Sequence, residues 1–149
     1  MNNIINEMSV NFLSKSCNES FARTVVAAFV SQMDPTIDEI SDIKTAVSEA
    51  VTNSIVHAYK SGIGVIYISA KMYDNGKVII KIRDKGCGIE DVEQAMQPLF
   101  TTGGSDRSGL GFAVMQSFMD KIKVSSKVGK GTSVTLERHI ICRSRANGC

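Results

Sequence analysis

The sequence predicts an α+β fold, a two-layer α/β sandwich with helices on one face of a mixed, mainly antiparallel sheet. Three observations carry this. Residues 64–84, GVIYISAKMYDNGKVIIKIRD, read as two strands joined by Asp74-Asn75-Gly76, a strong hairpin signal. Thr36-Ile37-Asp38-Glu39 is a capping box, a threonine three residues before a glutamate, and opens a long helix. KVSSKV and TSVTLERHI form a closing pair of strands around Gly129-Lys130-Gly131.

The remaining elements fall between these. Met8, Val10 and Phe12 alternate with polar residues and predict a short first strand. NESFARTVVAAFVSQM follows with apolar residues at helical spacing, Asn18 serving as N-cap, and Asp34-Pro35 ends that helix. The capped helix runs to about Tyr59. Residues 84–108 are loop-like, with a short helix near 90–96, and GLGFAVMQSFMDKI is a helix that opens on glycines. Residues 1–142 make a single domain, and 143–149, RSRANGC, a frayed tail.

Composition narrows the function classes. A chain of 149 residues suits one core, and 43% hydrophobic with 21% charged residues is ordinary for a soluble globular protein. The net charge of +2 calls for neither nucleic acid nor an acidic membrane as partner. Cys17, Cys87, Cys142 and Cys149 form no C-x-x-C pair and only two histidines accompany them, so neither a zinc site nor a disulfide framework is expected. The longest apolar run, VVAAFV, is far too short to span a bilayer, and no secretory pattern opens the chain. A cytoplasmic protein with reduced thiols is the expectation.

Chemistry concentrates first in SEAVTNSIVHAY, residues 48–59. At 100° per residue, Ala46, Val47, Ala50, Val51, Ile55 and Ala58 fill one half of the helix, while Glu49, Asn53 and His57 line up along its edge. Glu49 is the only charged side chain from Thr45 to Tyr59. A carboxylate can take a proton from a nucleophile, and an amide oxygen one turn away is a hard ligand suited to Mg²⁺. His57 reads more simply as a packed or hydrogen-bonded histidine.

The glycine loops form the second concentration. RDKGCGI follows a strand and reads most simply as a turn, although its glycines also leave room for a flat ligand and Asp84 could accept a hydrogen bond from an exocyclic amine. PLFTTGGSDRSGLGFAVM ends in Gly109-Leu110-Gly111 at a helix start, where free N–H groups attract phosphate and Arg107 could fork onto its oxygens. A surface loop with a solvated arginine is the plain alternative. GKGT, residues 129–132, reads as a hairpin turn. There is no G-x-x-x-x-G-K-[ST], nor the glycine loop and H-R-D set of eukaryotic-type protein kinases.

In this order the segments resemble the GHKL superfamily of gyrase, heat-shock chaperone ATPases, histidine kinases and MutL. Glu49-x-x-x-Asn53 looks like its N box, Asp84-x-Gly86-x-Gly88 its first glycine box, Thr101 through Gly111 its ATP lid and second glycine box, and Gly129-x-Gly131-Thr132 its last. Almost end to end the chain resembles, more closely, the anti-sigma F factors of spore-forming bacteria. That resemblance implies a Bergerat-type fold and a usually dimeric serine-protein kinase. Such a protein would hold the sporulation sigma factor F inactive and use Mg-ATP to phosphorylate a serine of the anti-anti-sigma factor SpoIIAA. It implies Glu49 as catalytic base and Asn53 as Mg²⁺ ligand. It implies Asp84 on the adenine amine with Gly86 and Gly88 beside the base. Thr101, Thr102, Arg107, Ser108, Gly109, Leu110 and Gly111 would form the lid and phosphate cradle, Thr132 the closing wall of the adenine pocket, and Arg23 part of a partner-binding surface. Gly-Gly-Ser-Asp between Thr102 and Arg107 is shorter than the charged lid usual in the family. Retention of Glu49 argues against a module that only binds ATP, and neither His57 nor His139 sits in a recognisable phosphoacceptor helix, as a detached histidine kinase would need.

Overall fold

The computed structural model describes residues 2–60, 62–96 and 107–141, the side chains of 107–110 excepted. Five strands form one sheet: β1 (Ile4–Leu13), β2 (Val65–Tyr73), β3 (Lys77–Asp84), β4 (Lys121–Lys127) and β5 (Gly131–His139). Their order is β1-β2-β3-β5-β4. Every pairing is antiparallel, so the mainly antiparallel sheet expected is wholly so among the described residues and the mixed element is absent. Both predicted hairpins form. In the first, Gly76 N–H donates to the Tyr73 carbonyl at 3.0 Å and Asn75 Oδ1 accepts from Lys77 N–H at 3.0 Å.

The helices are α1 (Cys17–Val30), α2 (Ile37–Asn53), α3 (Val92–Met96) and α4 (Arg107–Phe118). α2 is the central one, packed between α1 and α4. The capping box at its start is complete: Thr36 Oγ1 accepts from Glu39 N–H at 3.0 Å, and Glu39 Oε1 accepts from Thr36 N–H at 2.8 Å. The apolar arc of α2 packs onto the sheet as periodicity requires, with Ile43, Ala46, Val47, Ala50 and Val51 buried against Ile66, Ile68, Ile80, Ile82 and Leu136.

Three local expectations change. β1 spans ten residues rather than a short stretch around Met8–Phe12, because its backbone pairs with β2 beyond the part whose side chains are buried. Asn18 is not the cap of α1. The helix begins at Cys17, and Asn18 Nδ2 instead donates to the Leu13 carbonyl at 2.8 Å, tying the helix to the end of β1. Finally, α2 does not stay α-helical to Tyr59. It ends at Asn53 and continues as a π-helical turn, Ser54–Ala58. The expected tail and the domain boundary at 142 lie outside the described residues.

Candidate active site

The π turn builds the first wall of the site. A π turn admits an extra residue, so its carbonyls fall out of the regular i→i−4 ladder and face other partners. The Ala58 carbonyl accepts Cys87 N–H at 2.9 Å, and Cys87 Sγ lies 3.3 Å from the His57 carbonyl. This places the loop after β3 directly on the turn. The approach is close: a Cβ on Gly86 would stand 2.4 Å from the Ala58 carbonyl oxygen. The space that the missing side chain leaves is therefore occupied by backbone. Tyr59 then anchors the turn to the sheet, its hydroxyl donating to the Val65 carbonyl at 2.8 Å and accepting from Lys85 N–H at 2.7 Å.

Between the π turn, the loop after β3, α3, α4 and β5 lies a cavity of about 690 Å³. That volume is in the range of small-molecule and cofactor sites. Asn53, Ser54 and His57 line one side, Asp84 and Thr132 the base, Gly88 and Ile89 the loop side, and Phe112 the α4 side. Gly88 has φ +80°, and a Cβ there would also meet the Lys127 carbonyl at 2.3 Å, so only glycine lets the loop pass β4 at this point.

Asp84 is 5% exposed and is the buried acid at the base of the cavity. Its Oδ1 accepts Gly86 N–H at 2.9 Å and Thr132 N–H at 3.2 Å, and its Oδ2 accepts the Ser54 hydroxyl at 2.9 Å. The first and last predicted glycine boxes thus meet on one carboxylate. Ser126 completes the join: its hydroxyl accepts Ile89 N–H at 2.7 Å and shares a hydrogen bond with Thr132 Oγ1 at 2.8 Å, in which either oxygen can donate.

Glu49 and Asn53 come together with Gly111. A Cβ on Gly111 would lie 3.2 Å from Asn53 Nδ2, 3.3 Å from Asn53 Oδ1 and 3.4 Å from Glu49 Oε2. The N box and the second glycine box therefore abut. Asn53 Nδ2 is buried with no hydrogen-bond partner among the described residues. A carboxamide keeps its shape when its two ends exchange, so this position can equally present the oxygen. No cluster of three or more His, Cys, Asp or Glu side chains suited to a metal occurs among the described residues.

The other predicted residues are placed as follows. The backbone of Arg107, Ser108, Gly109 and Leu110 forms the first turn of α4. Thr101 and Thr102 lie outside the described residues. Arg23 sits on α1, half-exposed, with its guanidinium 3.5 Å from Glu19 and 3.3 Å from Ser20 Oγ, and does not line the cavity. Two contributors escaped the sequence reading. Ser126 left a weak signal, as the polar third member of the Ile122, Val124, Ser126 alternation on the inner face of β4. Ser54 left a clearer one: it falls at about 80° on the wheel, in the middle of the apolar arc, where a hydroxyl needs a buried partner.

Comparison with known proteins decides the family. A profile described as histidine kinase-like ATPase domain matches residues 16–138. The chain is 62% identical over 136 residues to an anti-sigma F factor of Caldanaerobacter subterraneus subsp. tengcongensis, covering 91% of this chain and 94% of that one. The chain belongs to the anti-sigma F factor family. A Priestia megaterium anti-sigma F factor is 51% identical over 137 residues, with 91% and 93% covered. Among solved structures, the RsbU and RsbW domains of Rv1364c from Mycobacterium tuberculosis align with TM-score 0.66 at 16% identity, over 91% of this chain and 32% of that chain. The mycobacterial sensor histidine kinase MprB aligns with TM-score 0.58 at 16% identity, over 89% and 98%. At such identities the structural likeness concerns the fold, which is the α+β ATPase fold expected of an anti-sigma F family member. No helix among the described residues is long and apolar enough to cross a membrane.

Proposed function

We propose that this chain is an anti-sigma factor and an ATP-dependent serine-protein kinase in one domain. It binds and inhibits the sporulation sigma factor F in the cytoplasm, acts as a homodimer, and phosphorylates a serine of the anti-anti-sigma factor SpoIIAA. The observation that carries the kinase half is the meeting of Glu49, Asn53 and Gly111 beside a cavity whose base is Asp84. Family membership carries the sigma-factor half, and Arg23 on the exposed side of α1 is the residue assigned to the partner surface.

The residues divide the work. Asp84 accepts the adenine amine, Gly88 and Thr132 border the base, and the role assigned to Arg107, at the first turn of α4, is to neutralise the phosphates. Asn53 fits Mg²⁺ as its single protein ligand among the described residues: its buried Nδ2 has no partner there, an end-for-end exchange of the carboxamide would present the oxygen, and no cluster of three or more His, Cys, Asp or Glu side chains occurs among them. When bound, the ion neutralises charge on the phosphates. Glu49 orients the incoming serine hydroxyl and takes its proton as the oxygen bonds to the terminal phosphorus and the bond to ADP breaks. Phosphoryl transfer demands chiefly positioning and charge neutralisation, so this short set suffices.

Incubation with labelled ATP, Mg²⁺ and the anti-anti-sigma protein tests the proposal. Acid-stable label on the acceptor is expected for phosphoserine. Acid-labile label would indicate phosphohistidine, and ATP binding without transfer would reduce the chain to a nucleotide-gated binding module.

A further inference from the structure

We infer that Ser54 is a positioning residue for nucleobase selection, acting by fixing the one free acceptor position of Asp84. The inference rests on the nucleotide-binding reading of the cavity. A carboxylate offers four lone-pair positions. Three are filled from within the chain: Oδ1 by the Gly86 and Thr132 N–H groups, and Oδ2 by the Ser54 hydroxyl. Among the described residues one remains, on Oδ2, and Asp84 borders the cavity.

The two backbone donors hold only one oxygen. The terminal torsion of an aspartate is soft, and the two N–H donors, one of them at 3.2 Å, restrain the planar carboxylate from the Oδ1 side only. The Ser54 hydroxyl, 2.9 Å away and only 5% exposed itself, pins the second oxygen. The start of the π turn at Ser54 places this side chain at the meeting of helix, strand and cavity. The consequence is chemical. A purine with an amine at position 6 supplies the hydrogen that the last lone pair requires. A purine with hydrogen there leaves that acceptor unmatched, and one with a carbonyl sets oxygen against oxygen.

The test compares ATP with purine riboside triphosphate, which differs only in having hydrogen in place of the 6-amine. Both are titrated into the full-length wild type, Ser54→Ala and Ser54→Thr. The ratio of the two affinities is read on the same folded population, so partial unfolding of a variant cancels. Wild type should prefer ATP. Ser54→Ala should reduce that preference about three- to tenfold, the worth of one ordinary hydrogen bond, chiefly by weakening ATP. Ser54→Thr, which keeps the hydroxyl, should restore it. A wild type that binds neither nucleotide would overturn the nucleotide reading and the inference with it, whereas one that binds both equally would remove the Asp84–amine contact and overturn the inference alone. A wild-type preference that survives Ser54→Ala unchanged, an equal loss for both nucleotides, or no recovery in Ser54→Thr would overturn the inference alone.

Discussion

Gly111 stands where any side chain would touch the Asn53 carboxamide, a Cβ there falling 3.2 Å from Nδ2. In the interior of a helix alanine is favoured over glycine by about 1 kcal/mol, so stability alone would select a side chain at this point of α4. Gly111→Ala should therefore separate stability from function. Its melting temperature should change by only a few degrees, while phosphotransfer falls at least about tenfold because the Asn53 carboxamide must give way by a few tenths of an ångström. Thermal melts alongside phosphotransfer rates check this. A fully active variant would show that the contact has no catalytic consequence.

Asn53→Ala addresses the metal. With Asn53 as its one proposed protein ligand, Mg²⁺ would keep waters and take its other ligands from the phosphates. ATP affinity in Mg²⁺ should fall in the variant, and the two proteins should bind ATP equally weakly in chelator. Calorimetry under both conditions decides. Equal affinities in Mg²⁺ would remove Asn53 from the metal.

Glu49→Gln keeps size and shape but removes the proposed base. The kinase rate should drop roughly 10²–10⁴-fold, while nucleotide and sigma-factor binding persist, since neither needs a proton abstracted. Transfer near the wild-type rate would give Glu49 another role.

Glu39 predicts a pH dependence of stability. Burial pushes its carboxyl upward, but the N–H groups of Thr36 and Ile141, the Thr36 side chain and the nearby Arg138 guanidinium outweigh this and hold it below 4.5. Below that value the unfolded chain binds the proton more readily than the folded one, so stability falls as the solution is acidified through the folded pKa. Glu39→Gln lacks this contribution. Urea unfolding should show the variant clearly weaker at pH 7 and the gap closing below pH 4.5. A gap that does not change with pH would assign the loss to the hydrogen bonds alone.

Much of this was legible locally. The Thr36–Glu39 capping box, the Asp74–Gly76 turn and the Glu49-x-x-x-Asn53 spacing each depend on residues within one turn of one another, and each formed as read. The apolar arc of α2 was legible for the same reason, since 3.6-residue periodicity is a property of the segment itself. The order of glycine boxes along the chain was enough to mark the family.

What the sequence left open was decided by contacts between distant segments. Ser54 meets Asp84 across 30 residues, and Glu39 Oε2 accepts Ile141 N–H across 102. The π turn at Ser54–Ala58 belongs with them: a segment with a good helical pattern departs from the α ladder, and the freed carbonyl of Ala58 takes Cys87 N–H from the loop after β3. Local propensity differs between such backbone states by less than a hydrogen bond to a neighbouring segment supplies, so the tertiary partner selects the state. The residues of the site were therefore set by the sequence, while the direction in which Asp84 accepts and the walls of its cavity were set only when the strands and the turn came together.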